Sequence, residues 1–348
     1  MKKVLIIFSV FSVLVLNAQD THFSQFYNSP LTLNPALTGL TKGTARFGAI
    51  YRNQWFSGVD NGFANSPFQT ASAFVDAPIN LKANAVRNDA VGVGAFFLYD
   101  RSGAGSFSTF QGQASGSYIK GLGRDGNHQL SVGVQVGYTQ TRLVQTDLRF
   151  TSQFDNNNQY TGNPAAFVLK PNVGYVNLNI GLLYYGKHTE NLSMYVGGAF
   201  FNATAPKYNI EANNSKQELY FRGNAQLGLD VSFGKFHILP SALFMQQAKA
   251  DQLNTGLGLG YDFKEDITMT LGVYNRANNI TNKYHQLDAI IPYAGFEVKR
   301  FKLGVSYDVT VSKFKDAGNV NGALEISMIY VFIGKVYTEN RMLFNPRF

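Results

Sequence analysis

The 348-residue sequence has no cysteine, a single tryptophan, Trp55, and only 15% charged residues. Without Cys, no disulfide can staple the chain and no thiolate metal site can form. After Leu16 no run approaches the roughly 20 apolar residues that a membrane-spanning helix requires, so any membrane crossing must use strands. The basic residues are scattered and build no patch, which argues against nucleic acid as a partner. The five histidines, His22, His128, His188, His237 and His285, fall in separate predicted elements, with no second His or carboxylate at metal-ligand spacing. No Gly-x-Ser-x-Gly motif is present. The run Asp155 to Gln159 resembles a calcium loop until its sixth position, where Tyr160 replaces the required Gly. No enzyme, cofactor or metal is therefore expected.

What is present begins with an export signal. Lys2 and Lys3 precede an apolar run, Val4 to Leu16, and a polar exit after Ala18, which describes a signal peptide over residues 1–18. Its removal lowers the formal charge from +8 to +6. A lipid anchor by the same route would need the missing Cys.

The full sequence holds 34 Gly, 29 Phe and 19 Tyr. Glycine and aromatics in alternating sequence suit a membrane barrel, with an apolar outer face and aromatic girdles. Period-two alternation recurs over about ten residues at a time. From Leu219 to Phe233 the odd positions are apolar, and Arg222, Asn224, Gln226 and Asp230 lie between them. Leu130 to Tyr138 and Phe301 to Val311 repeat the division, and Gly256, Gly258 and Gly260 have the spacing of a lumen-facing row. Starts near Thr44, Pro67, Ala90, Gly105, His128, Asn172, Leu192, Glu218, Lys235, Gln252, Ile267, Gln286, Phe301 and Gly322 predict about fourteen strands in an all-β, transmembrane antiparallel up-and-down β-barrel. Short turns such as 234–235 and 299–300 fall on one side and the long stretches 144–171 and 204–217 on the other; only 81–89 breaks the asymmetry. In-strand charges, Asp100, Arg101, Arg222, Asp230, Asp262, Lys302, Asp308 and Glu325, suit a hydrated lumen, or a lumen that selects a solute or holds a plug.

Two stretches stand outside this repetition. Residues 19–42, ahead of a barrel over 43–333, are too polar to cross a membrane, too rich in Pro and Asn for a strand, and too aromatic for an idle linker. Residues 334–348 form a tail in the periplasm or lumen. The first stretch carries Asp20-Thr21-His22-Phe23-Ser24-Gln25-Phe26-Tyr27 and Leu33-Asn34-Pro35-Ala36-Leu37-Thr38-Gly39. Tyr51-Arg52-Asn53-Gln54-Trp55 follows, and the chain closes on Asn345-Pro346-Arg347-Phe348. These blocks closely resemble the PorP/SprF family, outer-membrane components associated with the type IX secretion system of Bacteroidetes. Thr21 and Phe56 stand where the family often has Pro, and Asn345 where it often has Cys.

The resemblance implies a barrel that helps to export or retain large adhesins at the cell surface, in gliding motility or attachment. It further implies periplasmic partners tied to peptidoglycan-linked or motor-associated machinery. A general diffusion porin for small solutes is the alternative that the alternation alone allows. The expected location is the outer membrane, in contact with its lipid, with both termini periplasmic. His22, Phe23, Ser24, Gln25, Phe26, Tyr27, Asn34, Pro35, Arg52, Trp55, Arg347 and Phe348 are the candidates for plugging the lumen or binding a partner. The aromatics Phe23, Phe26 and Tyr27 are expected to pack against the wall.

Overall fold

The computed structural model describes residues 20–55, 68–81, 89–102, 107–123, 127–145, 151–155, 157, 159–163, 169–210, 218–264, 266–279, 285–312 and 322–334. Its strands are β1 (Ala45–Gln54), β2 (Phe68–Asn80), β3 (Ala90–Ser102), β4 (Phe107–Leu122), β5 (His128–Arg142), β6 (Asn172–Thr189) and β7 (Leu192–Phe201). They continue with β8 (Arg222–Phe233), β9 (Phe236–Gln247), β10 (Ala250–Lys264), β11 (Ile267–Asn279), β12 (Gln286–Val298), β13 (Phe301–Thr310) and β14 (Ala323–Phe332). Each pairs with its sequence neighbours, and β1 pairs antiparallel with β14, from Ala45 opposite Phe332 to Gln54 opposite Ala323. The sheet therefore closes into a fourteen-stranded antiparallel barrel with no open edge. An open edge would leave backbone groups unsatisfied in lipid.

Alternation decides which face is which. On β5, Val134 is 43% exposed on the outer surface while its neighbour Gln135 is 0% exposed inside. Outward residues also include Val132, Val136, Leu271, Val305 and Ile326. Ser131, Thr139, Asn179, Asn224 and Gln226 are buried in the lumen. The largest boundary difference is at β8, which starts at Arg222 instead of Glu218. Residues 218–221 are held by the preceding connection, through a bridge between Lys207 and Glu218 and the bond from Leu219 N–H to the Pro206 carbonyl.

The two rims differ. One, the turn rim, carries the start of β1, the end of β14 and tight connections at 190–191, 234–235 and 299–300. Gly234 (φ 61°) and Lys299 (φ 55°) take left-handed backbone there, as two-residue hairpins demand. The other, the long-loop rim, carries the connections 143–171 and 202–221. Residues 82–88, within the connection that breaks this asymmetry, lie outside the described residues, as do 1–19 and 335–348.

Much of the lumen is occupied by the chain itself. Asp20 to Gly43 folds into 3-10 turns at Phe26–Asn28 and Pro35–Leu37 around one short helical turn, Pro30–Leu33. Pro30 and Pro35 occupy first positions, where a missing N–H costs nothing. The side chain of Asn34 caps the second turn by accepting from Ala36 N–H at 2.9 Å. Asp20 bonds to Gln247, at the end of β9, and to Asn202, just beyond β7, so it lies toward the long-loop rim. From there the segment descends to Thr44, whose N–H donates to the Phe332 carbonyl as β1 begins.

Candidate functional site: the interface between the lumenal segment and the barrel wall

Three tiers of contact hold the segment, and the upper one is ionic. Alternation turns Arg52 (β1), Arg276 (β11), Asp308 (β13) and Glu325 (β14) inward, where they converge on Ser24 and Gln25. The Ser24 and Gln25 N–H groups donate to the two Glu325 carboxylate oxygens at 2.7 and 2.8 Å. Ser24 Oγ donates to Asp308 at 2.7 Å and accepts from Arg52 at 2.8 Å and Arg276 at 3.0 Å. Both guanidinium groups bind Asp308, at 2.9 and 2.7 Å; Arg52 also pairs with Glu325, and Arg276 with Asp288 at 2.8 Å. Charges taken out of water are tolerable only when paired and hydrogen-bonded. Here the segment supplies several of the bonds, so wall and segment each complete the other. Gln25, fully buried, donates to Ser306 at 2.9 Å and accepts from Asn28 and Ser327 at 2.9 and 2.7 Å.

The middle tier is aromatic. Tyr27 packs against Tyr274 and Tyr293 with ring centroids 5.1 and 5.2 Å away, and edge-on to Phe26 at 5.2 Å. Burial, then Tyr274 and Tyr293, pushes the Tyr27 hydroxyl well above its ordinary pKa, so it stays neutral. Phe23 and Leu31 join Ile50, Phe74, Phe96 and Leu98 in a second buried cluster. His22 Nδ1 lies 3.3 Å from the Asp20 carbonyl oxygen. Burial, with Arg276 and Arg52 nearby, lowers the His22 pKa to about 3, and the ring is neutral.

The lower tier is a backbone fit. Asn34 Nδ2 donates to the Leu182 and Gly198 carbonyls, both at 3.2 Å. Wall side chains take the segment's free carbonyls: Gln135 bonds Leu31 at 2.7 Å, Asn224 bonds Leu33 at 3.1 Å, Ser131 bonds Ala36 at 2.7 Å and Ser117 bonds Thr38 at 2.6 Å. A Cβ at Gly133 would overlap the Pro35 backbone, and one at Gly181 would overlap the Asn34 side chain. Bare glycine on the wall is thus what admits the segment. Gly39, at φ 74°, donates its N–H to Asp76, which pairs with Arg46 at 2.7 Å.

The structure brings His22, Phe23, Ser24, Gln25, Phe26, Tyr27, Asn34, Pro35 and Arg52 together within the lumen. Trp55 is apart from them, at the long-loop rim beside Phe68, with ring centroids 4.7 Å apart. Arg347 and Phe348 lie outside the described residues. Of the in-strand charges, Asp308 and Glu325 join the ionic tier, and Arg222 pairs with Asp20 at 3.7 Å. Asp230 and Asp262 flank His237 at 2.9 and 3.0 Å, and Asp100 bonds Thr70. Arg101 is exposed. Arg46, Asp76, Arg276 and Asp288 were not singled out by sequence reasoning. For Arg276 the signal existed: it occupies an inward position of an alternating strand. Among the described residues no group of three or more His, Asp or Glu is arranged to hold a metal ion. In the 155–160 loop, Asp155 Oδ1 accepts from the N–H groups of Asn157 and Gln159, both at 2.8 Å.

Residues 15–330 match the family model described as type IX secretion system membrane protein PorP/SprF. Comparison with curated protein sequences gives no match. Among solved structures, the chain is similar to a deltaS2 mutant of the TodX monoaromatic hydrocarbon channel, at 11% identity and a TM-score of 0.50 over 87% of this chain and 93% of that one. It is also similar to a Pseudomonas aeruginosa FadL homologue, at 12% identity and a TM-score of 0.49 over 83% and 90%. These likenesses concern the barrel fold alone.

Proposed function

We propose, from the premise that the chain belongs to the PorP/SprF family of type IX secretion system membrane proteins, that it is a non-enzymatic outer-membrane barrel closed by its own N-terminal segment. It helps to secrete or anchor a large surface adhesin, in attachment or gliding motility, by holding partners at its rims instead of passing cargo through its wall. The signal peptide is removed. The turn rim faces the periplasm and its peptidoglycan-linked or motor-associated components, and the long loops face outward.

The observation that carries this reading is the burial of the segment within the lumen: Gln25, Leu31, Asn34, Ala36 and Thr38 are each 0% exposed. A conduit would have to strip the Ser24 and Gln25 hydrogen bonds from the buried Glu325 and Asp308, which would keep only their pairs with Arg52 and Arg276. Deleting residues 23–35 tests the reading, with the heat-dependent shift in gel mobility as a check that the barrel folds. The expected outcome is loss of surface-retained adhesin together with entry of small solutes. Unchanged retention with increased solute entry would overturn anchoring and leave a diffusion channel.

A further inference from the structure

Below Tyr27 the lumen is not filled. A cavity of about 170 Å³ opens there to the turn rim, between the segment and the walls of β9 to β14. Leu239, Ile329, Val331 and Ile333 make part of its lining apolar. Lys42, Lys299, Arg300 and Lys302 make another part cationic, against one carboxylate, Glu297. Arg46 also reaches it, but is committed to Asp76. His237, on the far side, is shared between Asp230 and Asp262, so the cations of the cavity are concentrated on the turn between β12 and β13 and at the start of β13.

Two features separate this from an ordinary solvated rim. Lys299 holds left-handed backbone at φ 55°, a conformation that Gly or Asn adopts more easily, so the turn keeps a cation where its geometry favours another residue. The cations also stand against an apolar wall, where low dielectric strengthens their field. The complement of such a surface is a short acidic stretch carrying an aliphatic or aromatic anchor.

We infer that the turn rim docks an acidic peptide segment of a partner protein, with one apolar side chain in this cavity and carboxylates on Lys299, Arg300 and Lys42. This rests on the proposed function for the side from which the partner comes. The barrel wall separates the mouth from the bilayer, which favours a peptide over a lipid headgroup. Tyr27 roofs the cavity, and Lys302 Nζ lies 6.0 Å from its ring centroid, so an occupant touches the plug as well as the rim. A partner seated there reads whether the lumen is closed.

The test uses the full chain in detergent and a fluorescent synthetic peptide of Asp and Glu around a Phe-Leu pair, followed by anisotropy. Binding is expected, weakening as salt rises, with no binding of the same peptide carrying Lys for each acid. Lys299→Glu with Arg300→Glu should weaken it by about tenfold or more through reversed charge, and Ile333→Ser should weaken it without changing the charge of the mouth. Arg101→Glu, exposed near the opposite rim, should change nothing. Equal affinity of wild type and the double charge reversal, or no binding to wild type, overturns the site. Phosphatidylglycerol vesicles binding the protein in competition with the peptide would assign the cations to lipid and overturn it too. Adhesin retention lost on deleting 23–35 while the peptide fails to bind overturns this site alone. The reverse pair of results overturns anchoring and leaves the site.

Discussion

Ser24 shows how much a single hydroxyl can organise. It accepts from Arg52 and Arg276 and donates to Asp308, while its N–H caps Glu325. Removing one partner from a buried ion pair typically costs about 3–5 kcal/mol, because the other charge is left uncompensated. Arg52→Met is therefore expected to lower the temperature at which the gel-mobility shift occurs by far more than Arg101→Met, which removes an exposed charge. His22 adds a pH dependence with a defined sign. Its pKa is about 3 when docked, against an ordinary 6.5, so the docked state binds fewer protons between those values. Docking is strongest above 6.5 and is lost progressively as pH falls toward 3. At pH 5 the loss amounts to about 2 kcal/mol. Proteoliposomes should admit more small solute at pH 5 than at pH 7.5, and His22→Asn should flatten that difference.

At the scale of elements, segment and wall are fitted at particular glycines. Gly133→Val would push a side chain into the Pro35 backbone, whereas a Cβ at Gly258 meets Leu239 and Thr270 at an ordinary 3.4 Å. The first substitution should open the lumen to solutes and Gly258→Ala should not, as measured by swelling of solute-loaded proteoliposomes. The strands obey the opposite constraint on their outer face. Val134→Arg, halfway along β5 and 43% exposed, should destabilise the barrel by about 2–4 kcal/mol if that position meets the bilayer midplane, read as reduced assembly into membranes. The strands were legible in sequence because lipid and lumen impose a strict period of two. Seven predicted starts, Ala90, His128, Asn172, Leu192, Ile267, Gln286 and Phe301, coincide with the observed first residues. What alternation cannot supply is which inward residues meet across the lumen. Arg276 lies 32 residues before Asp308 and 252 after Ser24, and no local pattern links them. The composition of residues 19–42 marked that stretch as non-strand. It said nothing of the descent from Asp20, near the long-loop rim, to Thr44 at the other.

At the scale of the molecule, the two rims have different chemistry. The long-loop rim carries Trp55 and the extended connections. The turn rim carries tight hairpins and a basic, partly apolar mouth beneath the plug. Between them the ionic tier sits across the closing seam, because Arg52 belongs to the first strand and Glu325 to the last, and the two are register partners. Ser24 meets Glu325 across 301 residues of chain. Such a contact forms only after nearly the whole polypeptide has been gathered, and long-range closure of this kind is slow. Until β14 arrives, the segment has half of a socket, and both seam strands offer bare edges to any neighbouring chain. The socket for Ser24 and Gln25 is therefore complete only when the first and last strands are paired in register, because Arg52 and Glu325 face each other across that seam.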